Sequence, residues 1–566
     1  MSEQLLDRVQ QWIEHDPDAA TRTELATLLD AARSGDEAAL ADLGSRFEGP
    51  LVFGTAGLRA AVRAGESRMN RAVVIRASAG LAEFLLDRVG SEPLVVVGCD
   101  ARHGSEDFAA DAAAVFAAAG CRAVRLPAQL PTPLVAHAVR ALDADAGVMV
   151  TASHNPPADN GYKVYLGGRA VATDDEKGVQ IVPPDDARIA ERIAATPAAD
   201  EVPRDPESVT TADAALVTDY VDRAASLRTS ADSGDITIAL TPMHGVGLGT
   251  ARRVLEQAGF SRVSVVAEQA EPDPDFPTVA FPNPEEPGAM DLVTALAARE
   301  DADVAIALDP DADRCAVAVP TGAGTGDPAR DWRRLSGDEL GALLGEDAAA
   351  DPERAGDTLA CSIVSGRLLG RIAQHHGLSS RQTLTGFKWI ARTPGLRFGY
   401  EEAIGYCTDP TAVRDKDGVS AAVRVASLVA ELKQRGSTVQ DELDRLARLH
   451  GLYATAPLTF RVADLSLIGR GMARLRENPP AELAGSPVVE FVDLAEGGPE
   501  MLPTEGILMR TEADDRVIVR PSGTEPKLKC YLEVVLPVAE GAAVPRAEAA
   551  RRLAAISDQL RVVLGF

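Results

Sequence analysis

Four short segments carry residue types that can do chemistry together. The first is Thr151-Ala152-Ser153-His154-Asn155-Pro156, followed by Asn160-Gly161-Tyr162-Lys163. It lies just past the apolar run Gly147 to Val150, and loops leaving the ends of strands are where α/β sheets present reactive groups. A serine on such a loop can act as nucleophile or phosphate carrier, and Lys163 can return as acid, base or phosphate clamp. The bland alternative is a polar turn. The second segment is Asp309-Pro310-Asp311-Ala312-Asp313-Arg314, after the apolar run Val304 to Leu308. Three carboxylates at alternate positions of a curved loop can converge on one hard cation. Oxygen donors without His or Cys point to Mg²⁺ or Mn²⁺ rather than zinc. No glycine stands at the sixth position and no glutamate at the twelfth, which disfavours a calcium loop. Arg314 beside the acids suits a phosphate ligand. By contrast, Asp273-Pro274-Asp275 follows no strand and reads as a solvated loop.

The third segment, Arg520-Pro521-Ser522-Gly523-Thr524-Glu525-Pro526-Lys527, holds the inventory of a phosphate cradle. It offers charge-assisted donors and approachable backbone N–H groups. A plain hairpin turn explains its Pro, Ser and Gly but needs neither Arg520 nor Lys527. The fourth, Gly399-Tyr400-Glu401-Glu402-Ala403-Ile404-Gly405-Tyr406, sets adjacent glutamates where they accept hydrogen bonds from sugar hydroxyls, or where they form a solvated acidic loop. Gly54-Thr55-Ala56-Gly57-Leu58-Arg59 is a glycine-bounded turn ending in arginine. It lacks the GK[ST] ending of a P-loop.

These loops need elements to hold them. Residues 1–50 read as amphipathic helix, with Leu5, Leu6, Val9, Trp12 and Ile13 at helical spacing. A βα rhythm follows: a strand at Leu94–Val97, a helix over 107–119, a strand at Gly147–Val150. Residues 196–213 read as a linker. The rhythm restarts with strands at Ile236–Leu240 and Val263–Val266, a helix over 246–258, and a helix from Pro287 through Glu300. The Gly-, Asp- and Pro-rich stretch 320–330 reads as a second boundary. A third cycle has helices near 337–345, 366–376 and 418–434 and strands at 358–364 and near 382–385. From about 452 strands dominate, ahead of a helix over about 545–564. The predicted architecture is α/β in four domains: three similar mixed α/β sheet domains and a smaller α+β C-terminal domain around a central cleft. The domains span 1–205 (helical extension and serine loop), 206–325 (metal loop), 326–450 (glutamate loop) and 451–566 (phosphate cradle).

Bulk properties exclude other classes. The chain has 566 residues, long for one core. Its 57 Lys+Arg against 85 Asp+Glu leave a formal charge of −28, which argues against nucleic acid or an anionic membrane as partner. No apolar run approaches transmembrane length, and Met1-Ser2-Glu3-Gln4 shows no leader pattern. The six scattered cysteines form no CxxC and suit a reducing cytoplasm.

In their order and spacing the segments resemble the α-D-phosphohexomutase superfamily across most of the chain. Thr151–Pro156 resembles its phosphoserine loop, Asp309–Arg314 its metal loop and Arg520–Thr524 its phosphate loop. Gly399–Tyr406, with Asp415-Lys416-Asp417-Gly418-Val419, is similar to the subgroup of phosphoglucomutases and phosphopentomutases. Ala403 stands where a serine is common. Thr385-Gly386-Phe387-Lys388 looks like the neighbouring specificity segment. Gly98-Cys99-Asp100-Ala101-Arg102 and Thr241-Pro242-Met243-His244-Gly245 match family turns and read as scaffold for the loops. The resemblance implies an isomerase interconverting sugar 1- and 6-phosphates through a phosphoserine at Ser153 and a bisphosphate. Glucose is the first choice, with mannose or pentose phosphates as alternatives. Its catalytic residues would be Ser153, His154, Lys163, Arg59 and Lys416. Its substrate contacts would be Arg314, Gly386, Lys388, Glu401, Glu402, Arg520, Ser522, Gly523, Thr524 and Lys527. Ser153, Asp309, Asp311 and Asp313 would hold one Mg²⁺, and a glucose 1,6-bisphosphate-type activator would prime the enzyme. The expected partner is a small phosphosugar, with no nucleic acid or membrane; monomer and small homo-oligomer both stay open. A metal-dependent phosphatase and a non-catalytic sugar sensor are the rival readings.

Overall fold

In a computed structural model, which describes residues 2–51, 57–229, 236–462, 464–497, 502–522 and 527–566, the chain forms two compact units. One comprises 1–334 with 405–430; the other comprises 335–404 with 431–566.

The first unit opens with three helices, Ser2–His15, Ala19–Arg33 and Glu37–Arg46. Asp18 and Asp36 end the helical runs between them, because each carboxylate caps the helix that follows. Their apolar faces bury Val9, Leu25, Leu29, Leu43 and Phe47 in a small core. A mixed sheet comes next, in the order Gly57–Ala61, Asp159–Leu166, Ala146–Val150, Leu94–Cys99, Arg122–Arg125, Thr210–Thr211. Its centre is parallel, and Asp159–Leu166 runs antiparallel to both neighbours. Ala146–Val150 is buried throughout, as its unbroken apolar sequence demands of a central strand. A second sheet has the order Trp332–Arg334, Cys315–Pro320, Val304–Leu308, Thr237–Thr241, Arg262–Val265. Val304–Leu308 and Thr237–Thr241 are parallel, and both deliver their C-terminal ends to loops carrying polar residues.

The second unit holds the parallel strands Ser379–Thr383, Thr358–Ser362 and Leu396–Glu401. Helices Gly337–Ala350 and Leu368–His375 pack beside them. Its other sheet is antiparallel, in the order Leu452–Arg461, Lys527–Leu536, Arg516–Pro521, Ile507–Thr511, Ser486–Asp493, Glu482–Leu483. Helices Ser466–Glu477 and Arg546–Leu564 share its apolar core. The four-part α/β plan of the sequence is thus realised.

Several elements differ from their sequence reading. The helix expected from Pro287 begins at Asp291, because Gly288 takes a left-handed conformation (φ +81°) that a helix cannot include. Residues 320–330 belong to a hairpin: Cys315–Pro320 pairs with Trp332–Arg334, with a one-turn helix Pro328–Asp331 between. Within 196–213, Thr210–Thr211 adds an edge strand to the first sheet. The strand placed near 382–385 is Ser379–Thr383, a polar edge strand with no apolar alternation to reveal it. The segment 405–430, assigned by sequence to the third domain, packs with the first unit. All six cysteines are buried free thiols. Among the described residues no helix is long and apolar enough to cross a membrane.

Candidate active site

Ser153 stands three residues beyond the buried strand Ala146–Val150, 3% exposed and in the left-handed region at φ +54°. For a residue with a Cβ this backbone costs of order 1 kcal/mol or more, so the surroundings must over-determine it. They do. The Ser153 N–H donates to Thr151 Oγ1 at 2.9 Å. The Arg102 guanidinium donates to the carbonyls of Ser153 and Asn155 (both 2.6 Å), Pro156 (2.8 Å) and Asp159 (3.2 Å). Gly161 lies opposite, where a Cβ would come within 2.5 Å of the Thr151 carbonyl oxygen; only glycine lets the strand pass that close. The loop therefore presents the Ser153 hydroxyl in one direction. Ser153 Oγ lies 3.2 Å from Asp309 Oδ2 and 3.1 Å from His154 Nδ1. Burial, then the charges of Arg314 and Arg59, push the His154 pKa well below its ordinary value, so the imidazole is neutral at neutral pH.

Asp309, Asp311 and Asp313 are fully buried, and one oxygen from each lies within 4.8 Å of the others. The loop achieves this by a tight turn. Ala312 is left-handed (φ +55°), its N–H donates to the Asp309 carbonyl at 2.8 Å, and the Arg314 N–H donates to Asp309 Oδ1 at 3.0 Å. Gly245 backs the turn, since a Cβ there would lie 2.4 Å from Pro310. Thr132, at the start of helix Thr132–Ala141, pins Asp311 by its hydroxyl (2.6 Å) and its N–H (2.9 Å).

Two lysines meet these acids. Lys163 Nζ lies 2.8 Å from Asp311 Oδ2 and 3.0 Å from Asp313 Oδ2. Lys416 Nζ lies 3.2 Å from the same Asp313 oxygen and 3.3 Å from Asp415 Oδ1. Asp415 is held in turn by Tyr165 (2.9 Å) and Gln180 (2.8 Å). Burial alone would lower the Lys163 pKa, but Asp311 and Asp313 outweigh it and keep the group an ammonium. Burial would raise Asp313, yet Lys163, Lys416 and Arg314 pull it below the usual carboxylate range. Asp309 goes the other way: burial and then the charges of Asp311 and Asp313 raise it well above its ordinary value, against Arg314. Arg59 reaches the same loop, donating to Asn155 Oδ1 at 3.0 Å.

The donor chemistry fits a hard divalent cation. Asp311 Oδ1 and Asp313 Oδ1 are buried oxygens with no hydrogen-bond partner among the described residues. A buried carboxylate oxygen without a partner is costly, and a cation of the Mg²⁺ type satisfies such a set with oxygen ligands only.

The second unit holds the other predicted groups. Glu401 ends the strand Leu396–Glu401 and is 8% exposed. Glu402 Oε2 accepts from Ser362 Oγ and Ser365 Oγ, each at 2.9 Å, and the Glu402 N–H donates to Ser365 Oγ at 3.1 Å. Gly386 (φ +111°) precedes the one-turn helix Phe387–Ile390, from which Lys388 Nζ lies 5.7 Å from the Trp389 ring centre. Arg520 lies at the end of strand Arg516–Pro521, and the Ser522 N–H donates to the Lys527 carbonyl at 2.8 Å. Gly523 and Thr524 lie outside the described residues. Near Glu402, burial pushes the Asp338 carboxyl up to about 6, with Gly366 N–H opposing and Glu402 adding to the rise. A carboxyl raised in the folded state is destabilising once ionised. Its penalty grows as pH rises from about 4 to about 6 and is at most about 3 kcal/mol above that. Asp338→Asn should therefore gain less Tm than the wild type on going from pH 7.5 to pH 5, which parallel thermal melts will read.

Models of the phosphoglucomutase/phosphomannomutase family match the chain in sequence order: alpha/beta/alpha domain I over residues 50–198, domain II over 218–322, domain III over 336–448 and the C-terminal domain over 470–551. The chain belongs to this family. It is therefore a mutase, an isomerase that relocates a phosphoryl group. A probable phosphomannomutase of Haemophilus influenzae is 45% identical over 82% of this chain and 93% of its own length. A phosphopentomutase of Mus musculus is 33% identical (95% and 91%), and a phosphoglucomutase of Staphylococcus epidermidis 32% identical (86% and 90%).

In the first unit of the mutase, Ser153, His154, Lys163, Arg59, Arg314, Lys416 and the three aspartates come together from segments up to 357 positions apart in sequence. Sequence reasoning missed Thr132, Tyr165 and Gln180, which help hold them, and quoted Asp415 only as part of a family-like segment. Arg102 it read only as scaffold, without its fork on four carbonyls. A buried arginine answering carbonyls leaves no spacing pattern; the sole hint is an arginine just past a strand end. Lysine cannot reproduce the fork, so Arg102→Lys should lower kcat of the mutase about 10²-fold through displacement of Ser153, with KM changed far less, in steady-state assays.

Proposed function

We propose that the chain interconverts the 1-phosphate and 6-phosphate of an aldohexose, glucose first, by way of a phosphoserine at Ser153 and a sugar bisphosphate. The observation that carries this reading is the Ser153 hydroxyl at 3.2 Å from an oxygen of a buried three-aspartate cluster with lysines on its other side. Phosphoryl transfer needs charge neutralisation and in-line placement more than covalent activation; the lysines and arginines around the fixed Ser153 hydroxyl suit the first, and its single direction suits the second.

In the cycle, the Ser153 phosphoryl group moves to the free hydroxyl of a bound sugar monophosphate. The P–O bond to serine breaks and one to the sugar forms, giving a bisphosphate. The bisphosphate reorients, and its other phosphate returns to Ser153. Asp309, Asp311, Asp313 and Ser153 would hold Mg²⁺, which supplies Lewis-acid neutralisation of the transferring group. Lys163, an ammonium between Asp311 and Asp313, donates a proton to the oxygen leaving phosphorus. Lys416, the second acid/base group, takes up the proton of the attacking sugar hydroxyl, and the two lysines exchange roles when phosphate returns to Ser153. Neutral His154 holds the serine hydroxyl proton, and Arg59 and Arg314 neutralise phosphate charge. Glu401 and Glu402 accept from sugar hydroxyls beside Gly386 and Lys388. Arg520, Ser522, Gly523, Thr524 and Lys527 anchor the phosphate that does not react. A bisphosphate of the glucose 1,6 type primes the unphosphorylated enzyme.

The 45% identity to a probable phosphomannomutase favours mannose phosphate as the second reading. A panel decides: the 1-phosphates of glucose, mannose and ribose, each with its bisphosphate activator and Mg²⁺. Glucose 6-phosphate should form fastest. Inorganic phosphate released without isomerisation would make the protein a phosphatase and sink the proposal.

A further inference from the structure

We propose that Arg516 is a positioning residue for Glu402, tying the sugar grip to the strand that carries the phosphate anchor. This rests on the reading of Glu402 as a sugar contact. All the residues concerned lie in the second unit.

The strand Arg516–Pro521 bears Arg520 near one end, with Ser522 beyond it, and Arg516 at the other. Arg516 is 4% exposed and aims its guanidinium away from solvent. Its Nη1 donates to the Ile363 carbonyl at 3.0 Å and its Nη2 to the Ser365 carbonyl at 2.5 Å. Its Nε lies 3.6 Å from Glu533 Oε2, and Glu533 also accepts from the main chain and side chain of Arg367. The turn that Arg516 grips is the one whose hydroxyls hold Glu402. Ser362 and Ser365 are fully buried, their Oγ atoms lie 2.8 Å apart, and both donate to Glu402 Oε2. Ile518, on the same strand as Arg516, packs against Ile363 and Val364.

The contacts run unbroken from Arg516 through the Ser365 main chain and hydroxyl to the Glu402 carboxylate. A planar fork on two carbonyls transmits a shift of its strand as a shift of the turn, and a single ammonium does not. The strand that sets the phosphate anchor thus also sets the direction of Glu402. In a mutase the sugar must be accepted in both orientations. A phosphate anchor carried by this strand and a hydroxyl acceptor braced by it through the Ser365 turn keep a constant spacing through both.

The test uses the full-length enzyme with glucose 1-phosphate and mannose 1-phosphate. Arg516→Lys and Ser365→Ala should each raise KM about tenfold, flatten the glucose-to-mannose preference, and change kcat far less. The double variant should be no worse than the more affected single one, since both break one path. Glu533→Gln keeps the shape but loosens the fork, and it should show the same signs at smaller amplitude should Arg516→Lys not fold. Unchanged KM and preference in these variants would overturn the proposal, as would a fall in kcat alone that tracks a fall in Tm. Glu402→Gln separates the two layers: if it leaves KM and preference at wild-type values, the sugar-contact reading of Glu402 fails, whatever Arg516 does. The phosphoserine reading is judged independently, at Ser153.

Discussion

Ser153→Ala is expected to lower turnover at least about 10⁴-fold while the protein stays folded, because it removes the hydroxyl proposed to carry the phosphoryl group. Ser153 Oγ is the hydroxyl that meets Asp309 Oδ2 within the buried cluster, and a methyl group cannot accept phosphate. The folded state should change little. The backbone N–H at 153 still donates to Thr151 Oγ1, and Arg102 still holds the carbonyl. Alanine at φ +54° keeps the strain that serine bears, so Ser153→Gly serves as the unstrained control. Intact-mass measurement after incubation with a hexose bisphosphate should show a phosphate adduct on the wild type and none on either variant. Near-normal mutase activity in purified Ser153→Ala would refute the mechanism.

The second large effect concerns the aspartates. In Asp309 burial and the neighbouring carboxylates oppose ionisation, so without a cation this residue is destabilising. Asp309→Asn should consequently raise Tm in chelator and remove the further rise that Mg²⁺ gives the wild type by mass action. It should also lower turnover about 10³-fold or more, since a ligand and the partner of Ser153 Oγ are lost together. Calorimetric titration with Mg²⁺ and paired melts read both halves. A variant that bound Mg²⁺ as the wild type does would show that Asp309 is not a ligand. Asp313 differs in sign: its charge is favoured by Lys163, Lys416 and Arg314, so its loss should lower Tm even in chelator.

The loops were legible because each follows a strand or joins two, and each concentrates charge or hydroxyls within eight residues or fewer. Continuous apolar runs such as Val304–Leu308 marked the buried strands that deliver them. The edge strand Ser379–Thr383 was placed a few residues late because both its faces are polar and no apolar alternation marks its ends. The hairpin around 320–330 escaped because glycine and proline punctuate a turn and a boundary alike.

Residue type and spacing alone pointed to the family, to the four-part α/β plan, and to the serine, aspartates and lysines that the structure gathers in the first unit. These rest on local rules: a strand's apolar run, a loop's donors, a carboxylate every second residue. Tertiary structure alone decided that Lys416 stands beside Asp313 and packs with the first unit, that Arg102 and Thr132 brace the serine and metal loops, and that Arg516 reaches the turn beneath Glu402. Each of these is a contact across 51 to 179 sequence positions. Several are made to backbone carbonyls, which every residue possesses and which no sequence pattern can therefore announce.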